Sequence, residues 1–312
     1  MDGPNIAGEP SVAETPGAMR THGWSDYALI DSGHGRKLER YGRFTVIRPE
    51  PQCLWSPLLP PQAWENADAV FDPTDEEDAG RWKFRGKPVD AWPLAWGEVK
   101  FHGRFTAFRH LAFFPEQAAN WLWLDAAVRG AARTGEPPKV LNLFGYTGVA
   151  SLVMAAAGAA VTHVDASKKA VGWARENAAL SGLADRPIRW ITEDARKYVQ
   201  REVRRGSKYE GIILDPPKYC RGPDGEVWRL FENLPELAGL CADLLSEKAA
   251  FLVLNAYAER ISGAALSGLL AEKLKGRGGH IEWGELALVQ EGGARQVGMS
   301  FYARWSPDGL TP

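Results

Sequence analysis

The sequence predicts an α/β protein: a mainly parallel, doubly wound sheet with helices on both faces, preceded by a smaller β-rich domain. Three observations predict it. From residue 113 onward, apolar runs of strand length alternate with amphipathic runs of helical period. Before that point, short alternating runs are separated by prolines and turn dipeptides. The last two runs, HIEWGELALVQ and RQVGMSFYARW, flank the turn EGGA and read as an antiparallel hairpin, not as another strand–helix–strand unit.

The 312 residues suit one large domain or two unequal ones, and a hydrophobic content of 45% is ample for a buried core. A net charge of −2 provides no global basic field, so a nucleic-acid partner needs a local patch. Cys53, Cys220 and Cys241 stand far apart without metal-ligand spacing. No bound metal is expected, and a reducing compartment is. The opening residues lack an apolar signal-type stretch, and no apolar run is long enough to span a bilayer. The expected setting is the cytoplasm, with no membrane partner; the oligomeric state is not legible.

Residues 1–22, rich in Pro, Gly, Ala and Glu, are expected to form a disordered tail. Residues 23–112 make the β-rich domain, with strands in YALID, RFTVIRP, RWKFRG, WGEVKFHG and FTAFRH. The acidic run DPTDEEDAG is read as a solvated loop. Arg36, Lys37, Arg40, Arg43 and Arg48, interleaved with Tyr41 and Phe44, offer a local basic patch for an RNA backbone. Such charges on a β domain are more often only a solvated face.

The larger domain, 113–312, opens with the helical run EQAANWLWLDAAVRGAAR, with Pro115 just before or at its first turn. Strand KVLNLFGY, helix GVASLVMAAAGA, strand AVTHVDAS and helix KKAVGWARENAALSG follow. Strand WITED leads to helix ARKYVQREVRRG, where Arg201, Arg204, Arg205 and nearby Lys208 suit an exposed face and a helix C-terminus. Strand YEGIILDPP, helix LPELAGLCADLLS, strand AAFLVLNAY and helix GAALSGLLAEKLKG complete the alternation before the closing hairpin.

In such sheets right-handed crossovers place ligands at the carboxyl ends of the strands. The first end is NLFGYTG, where Gly145 and Gly148 permit a tight turn and close backbone approach. About 20 residues later the second strand ends at Asp165, spaced to accept hydrogen bonds from two vicinal ribose hydroxyls. The third ends in Asp194-Ala195, where a carboxylate and a backbone N–H can read an adenine edge. Asp165 and Asp194 also precede helices, where acidic residues commonly serve as N-caps. Neither G-x-G-x-x-G nor GxxxxGK[ST] occurs, which disfavours pyrophosphate and triphosphate ligands. An adenosine carrying no phosphate remains: S-adenosylmethionine.

The set FFPEQ, VLNLFGYTG, VTHVDASKKAVGWARENA, EDARKYV and LDPPKY, across roughly residues 105–260, resembles the ribosomal-RNA large-subunit methyltransferases I and K/L. The resemblance implies a Rossmann-like, seven-stranded class I methyltransferase sheet whose last strand is reversed, and an RNA substrate. It implies a cofactor cradle of Phe144, Gly145, Tyr146, Thr147 and Gly148, then Asp165, Ala166 and Ser167, Asp194 and Ala195, and Asp215. It also implies that Phe114, Glu116 and Gln117 fold over the cofactor; Glu116 can equally serve a helix N-terminus. His110, just upstream, suits an orienting or purely structural role. Two departures stand out. Residues 23–112 do not read as the RNA-binding module of methyltransferase I. The cysteine that follows the strand after DPPK in that enzyme is also missing, because Asn255, Ala256 and Tyr257 stand there.

Asp215, Pro216, Pro217 and Lys218 are the candidate catalytic residues. A carboxylate and a proline carbonyl can accept the hydrogens of an exocyclic amine and aim its lone pair, and successive prolines stiffen the turn. Tyr219 or Tyr257 can stack on an extruded base. Lys218 occupies the place where amino-nitrogen methyltransferases usually carry an aromatic; it suits a phosphate contact or a solvated turn. Carbon-5 methylation of a pyrimidine needs a thiolate nucleophile. Cys220 is offset from the expected positions and reads better as a small, partly buried thiol. Methyl transfer to a base nitrogen of RNA is therefore favoured. Carbon-5 chemistry through Cys220, a small-molecule or protein substrate, and a non-catalytic RNA-binding protein are the alternatives.

Overall fold

The computed structural model describes residues 8–74, 79–132, 135–257 and 261–308. Its first strands are β1 (Ser11–Val12), β2 (Gly17–Thr21), β3 (Tyr27–Gly33), β4 (Arg36–Tyr41) and β5 (Phe44–Pro49). Helix α1 (Pro61–Glu65) precedes β6 (Ala69–Pro73), β7 (Gly80–Phe84), β8 (Trp92–Trp96) and β9 (Val99–Gly103). A 3-10 turn over Pro115–Gln117 leads into α2 (Ala118–Ala132) and β10 (Lys139–Leu143). Then come α3 (Val149–Ala156), β11 (Ala160–Asp165), α4 (Lys168–Leu180), β12 (Ile188–Thr192), α5 (Ala195–Arg204) and β13 (Gly211–Leu214). The chain continues with β14 (Tyr219–Arg221), β15 (Val227–Arg229), α6 (Leu230–Leu244), β16 (Phe251–Ala256), α7 (Gly263–Lys273), β17 (His280–Val289) and β18 (Gln296–Ser306).

Two units result. One comprises Met1–Met19, Asn120–Glu285 and Ser300–Pro312; the other comprises Arg20–Ala119 and Leu286–Met299.

In the larger unit the strands run in the order β12-β11-β10-β13-β16-β18-β17. The first five are mutually parallel, and β18 is antiparallel to β16. The central strands β10, β13 and β16 are largely apolar on both faces, as burial between two helical layers requires. Leu141, Leu143, Ile212, Leu214, Leu252 and Leu254 pack with residues of α5, α6 and α7 such as Val199, Leu237 and Leu270. Their alternates Val140, Val161, Ile213 and Val253 pack with Leu124, Val128 and Met154 of α2 and α3. Register aligns Leu143 with Val164 and Leu214, and Leu214 with Leu254. The carboxyl ends therefore lie level. The chain leaves β10 toward β11 and β12, then returns to β13 on the other side of β10, so a topological switch point falls between β10 and β13.

Three local expectations change in this unit. Residues placed in a disordered tail form β1, which pairs with the edge strand β17 through Ser11↔His280 and Val12↔Ile281, and β2, which also pairs β17. Trp283 Nε1 donates to the Ala13 carbonyl at 2.8 Å. A polar, flexible composition does not reveal an edge supplied 270 residues later in sequence. Helix α6 begins at Leu230, four residues earlier than its apolar run suggested, and holds Pro235 internally. The stretch YCRGPDGEVWR, assigned to no element from sequence, is a two-stranded hairpin with Tyr219↔Arg229, Cys220↔Trp228 and Arg221↔Val227 in register.

The smaller unit holds the five-stranded sheet β3-β4-β5-β6-β7 and the separate hairpin β8-β9. WGEVKFHG is thus the turn and second arm of a hairpin. FTAFRH is not a strand: Thr106 Oγ1 donates to the His110 carbonyl at 2.9 Å and accepts from Phe108 N at 3.1 Å, a local alternative to sheet pairing. Most of DPTDEEDAG brackets the β6–β7 connection, closed by Thr74 N to Ala79 O at 2.9 Å; residues 75–78 lie outside the described residues.

Of the basic residues in this stretch, Arg36 and Arg43 are exposed, and the others are engaged within the domain. Lys37, Arg48 and Tyr41 are buried. Arg48 forks onto Glu39 with two bonds of 2.7 Å and donates to the Tyr41 hydroxyl at 2.6 Å. Lys37 Nζ lies 3.5 Å from Glu50 and 3.9 Å from Glu39. Arg40 is spent on the carbonyls of Ser25 and Trp24. Lys37 and Arg48 balance buried carboxylates, because an unpaired buried charge is prohibitive. Among the described residues no helix is long and apolar enough to cross a membrane.

Candidate functional site

The first strand end is a backbone under constraint. Phe144 and Tyr146 adopt φ of +57° and +47°, and Gly148 adopts +82°. Two non-glycine residues in the left-handed region mark a loop held by its surroundings. Gly145 N donates to the Val164 carbonyl at 3.1 Å, and Gly148 N to the Gly145 carbonyl at 2.9 Å. A Cβ on Gly145 would sit 2.5 Å from the His163 ring. Gly148 needs its glycine twice, for its positive φ and because a Cβ would lie 2.8 Å from Ala174.

Asp165 ties this loop to the next strand end. Its Oδ2 accepts from Tyr146 N and its Oδ1 from Ser167 N, both at 2.8 Å. Burial raises its pKa, and the two backbone bonds oppose that shift without overcoming it. Each carboxylate oxygen retains a further lone pair for a hydroxyl donor. Ser167 caps α4, accepting from Ala170 N at 3.2 Å. Asp194 caps α5, accepting from Lys197 N at 3.0 Å through Oδ1. The capping expected of such residues is therefore real, and in Asp194 it engages one oxygen.

Several supports escaped the sequence reading. Asn177, buried on α4, donates to the Thr147 carbonyl at 2.9 Å. It stands within the quoted run ARENA, but its spacing gave no sign of its role. Behind Gly145, Asn142 Nδ2 donates to Ser151 Oγ at 2.8 Å, and Ser151 lies 3.0 Å from His163 Nδ1. Burial lowers the His163 pKa to about 3. A neutral ring bonded to Ser151 completes this chain of bonds. At the end of β16, Asn255 Oδ1 accepts from Asn120 Nδ2 at 3.0 Å.

At the end of β13 stand Asp215, buried Pro216, half-buried Pro217 and exposed Lys218. The β14–β15 hairpin anchors this turn. Trp228, fully buried, donates Nε1–H to the Pro217 carbonyl at 2.8 Å. Its ring centroid lies 5.0 Å from that of Phe144, and Leu230 N donates to the Lys218 carbonyl at 3.0 Å. The signal for Trp228 was the turn sequence GPDGE between two short alternating runs. Opposite Trp228 in register is Cys220. Burial, with the Asp165 and Asp194 carboxylates nearby, pushes its thiol up to about 11.

Phe144–Gly148, Asp165–Ser167, Asp194-Ala195 and Asp215–Lys218 thus gather at the carboxyl edge of one sheet. Phe114, Glu116 and Gln117 lie in the smaller unit. Glu116 and Gln117 are buried in the 3-10 turn, where Thr21 Oγ1 donates to the Glu116 carbonyl at 3.0 Å. Burial raises the Glu116 carboxyl pKa against the pull of Lys37 and Arg48. His110 packs its ring 5.2 Å from Phe114, and burial together with Arg48 and Arg109 lowers its pKa to about 4. Arg201 is taken up by Glu193, Arg205 by Glu202 and Lys208 by the Asp243 carbonyl.

The residues at the sheet edge fit an adenosine ligand lacking phosphate. A carboxylate oriented by two backbone donors, beside a loop with no Cβ at Gly145, suits a ribose, and no phosphate-binding glycine loop intrudes. Among the described residues no group of three or more His, Cys, Asp or Glu could hold a metal ion.

Comparison with known proteins agrees with that chemistry. No family model matches the chain. A solved S-adenosylmethionine-dependent methyltransferase from Agrobacterium tumefaciens is 50% identical, with 97% of each chain covered and a TM-score of 0.92. The ribosomal RNA large subunit methyltransferase K/L of Shewanella frigidimarina is 36% identical over 118 residues, 37% of this chain and 16% of that protein. Ribosomal RNA large subunit methyltransferase I of Shewanella denitrificans is 36% identical over 112 residues, 36% of this chain and 25% of that protein. The chain thus spans a quarter or less of the length of these two ribosomal-RNA enzymes.

Proposed function

Because this chain belongs to the S-adenosylmethionine-dependent methyltransferases, we propose that it methylates RNA, at an exocyclic nitrogen of a base held against Asp215-Pro216-Pro217. When bound, S-adenosylmethionine supplies a methyl group already activated by its sulfonium. The residues we assign to hold it are Phe144–Gly148, Asp165–Ser167, Asp194-Ala195 and Asp215, with Phe114, Glu116 and Gln117 assigned from the resemblance. Asp165 takes the ribose hydroxyls. Asp194, through the oxygen not used for capping, takes an adenine amino group.

The observation that carries the acceptor assignment is the bond from Trp228 to the Pro217 carbonyl. With that carbonyl committed, the Asp215 carboxylate and the Pro216 carbonyl are the acceptors we assign to the amino hydrogens. Accepting both hydrogens draws the nitrogen lone pair out of conjugation with the ring, and the rigid prolines fix its direction. Lys218, exposed beside the turn, suits a substrate phosphate. Carbon-5 chemistry is disfavoured: Cys220 is half-buried with its thiol pushed up to about 11, and Asn255, Ala256 and Tyr257 supply no thiol at the end of β16. The ribosomal-RNA relatives match over only part of their length, and they support RNA as the substrate class. We place the enzyme in the cytoplasm, where such a substrate resides.

Mass spectrometry of modified nucleosides in ribosomal and transfer RNA from a deletion strain tests the proposal. Loss of one N-methylated nucleoside, restored by the wild-type gene, is expected. An unchanged nucleoside profile sinks the RNA assignment, and loss of 5-methylcytidine sinks the nitrogen assignment.

A further inference from the structure

The hairpin β14–β15 turns one face inward and one outward. Inward go Cys220 and fully buried Trp228; outward go Tyr219, Arg221, Val227 and Arg229. Register sets Tyr219 directly across from Arg229, and Arg221 across from Val227, distances of about 5 Å between opposed Cβ atoms. Tyr219 is 49% exposed and Val227 41%, and Phe231, in the first turn of α6, is 58% exposed. Folding exposes large apolar groups singly without consequence, but a cluster of them among cations marks an interaction surface.

The charge of this face identifies its occupant. Arg221, Arg229 and the adjoining Lys218 are exposed. The acidic residues nearby do not cancel them equally. Asp224 and Glu226, at the hairpin turn, are paired with Lys197. Glu232 lies 3.4 Å from Arg229, with both side chains about three-fifths exposed, so that pair is weak and easily exchanged. An aromatic ring flanked by guanidinium groups, four residues beyond the carboxylate of Asp215, matches the needs of an unpaired nucleotide strand: a stacking plane and phosphate partners.

We propose that the outward face of this hairpin is a rest for single-stranded RNA next to the methylated base, with Tyr219 stacking on a neighbouring base and Arg221 and Arg229 pairing with phosphates. The inference rests on RNA being the substrate class. Its rigidity comes from Trp228, which joins the hairpin to Pro217 and packs on Phe144, so a strand on this face is held at a fixed offset from Asp215.

The test uses the full chain and a fluorescein-labelled, unstructured 12-nucleotide RNA, with affinity measured by anisotropy across a salt series. Arg221→Ala/Arg229→Ala is expected to flatten the plot of log affinity against log salt by about 1.4, as for two lost phosphate contacts on a single strand. Arg221→Lys/Arg229→Lys should retain the slope. Tyr219→Ala is expected to weaken binding about tenfold at every salt concentration, and Tyr219→Phe to restore it. Calorimetric binding of S-adenosylmethionine, unchanged in all variants, shows that they are folded. If the wild type binds the RNA and the alanine variants match it in affinity and slope, the hairpin assignment is overturned while the RNA reading stands. If the wild type binds no RNA at any salt concentration, both fall together.

Discussion

Trp228 reaches across from its hairpin to donate its indole N–H to the carbonyl of Pro217, 2.8 Å away, while its ring rests against Phe144. One side chain thereby couples the loop after β10 to the turn after β13. Those are the two strand ends on either side of the topological switch point.

Trp228→Phe keeps most of the packing and removes the donor. A partly buried carbonyl left without its partner costs up to about 1–3 kcal/mol. Much of that cost should appear as misalignment of the Asp215 turn, because the prolines transmit it directly. The expected result is a fall in kcat of about tenfold or more, with S-adenosylmethionine affinity by calorimetry changed less than fivefold. Equal losses in both quantities would show that Trp228 supports the cofactor loop and the turn alike.

Asp165→Asn removes an anionic acceptor whose two oxygens each take a backbone N–H. An amide offers an acceptor on one side only, so either Tyr146 N or Ser167 N meets an NH2 group. Hydrogen bonds to a charged group contribute about 1.5–3 kcal/mol. S-Adenosylmethionine affinity should fall about 100-fold, measured by calorimetry. An affinity within threefold of wild type would remove Asp165 from the cradle.

Cys220→Ser should retain methyl transfer within about twofold. With the thiol pushed up to about 11, only about one molecule in ten thousand carries the thiolate at pH 7. A loss of activity beyond about a hundredfold, with normal cofactor binding, would revive carbon-5 chemistry.

The acid limb of stability should report two histidines, His163 fully buried and His110 partly buried. His163 and His110 have pKa values lowered by burial, to about 3 and about 4, from an ordinary 6.5. The folded state holds both neutral, whereas the unfolded chain takes up protons below about pH 6.5. Their contribution is therefore fully present above pH 6.5 and is lost as pH falls toward 4 and then 3. The slope reaches about 1.4 kcal/mol per pH unit for each. Urea denaturation at pH 7.5, 6 and 5 should show this fall, and His163→Gln should remove about half of it.

Glu39 should act at lower pH. Burial alone would raise its pKa, but Arg48 and Lys37 override that and bring it to about 2. Its stabilisation is present above about pH 4.5 and is lost as pH falls through 2. At neutral pH, Arg48→Met strands the Glu39 carboxylate and should cost about 3–5 kcal/mol. Glu39→Gln/Arg48→Met should recover much of that, measured by urea denaturation.

The strand ends were legible because a parallel sheet imposes its own grammar: apolar runs terminate at small or acidic residues, as at Phe144-Gly145, Asp165 and Asp215. Helix boundaries followed from caps such as Ser167 and Asp194, whose side chains act within three residues. What lay beyond local reach was not legible. β1 and β2 depend on an edge from the far end of the chain. Lys37 and Arg48 read as surface cations because only the pairing of β4 with β5 brings Glu39 to Arg48 and Glu50 to Lys37. Trp228 and Asn177 serve the site through a carbonyl acceptor, and a carbonyl has no sequence signature.

The position of β18 bears on how this protein comes into being. It is the last strand of the sheet in sequence, yet it lies between β16 and β17 rather than at an edge. Until residues 296–306 leave the ribosome, β16 and β17 have no strand between them, and each exposes backbone that β18 will later occupy. During synthesis the half of the sheet built from β10 to β13 has all its strands available, while the other half waits for its centre. Ribosome-bound chains ending before β18 should therefore be vulnerable to protease in β16 and β17 while the β10–β13 half is already protected.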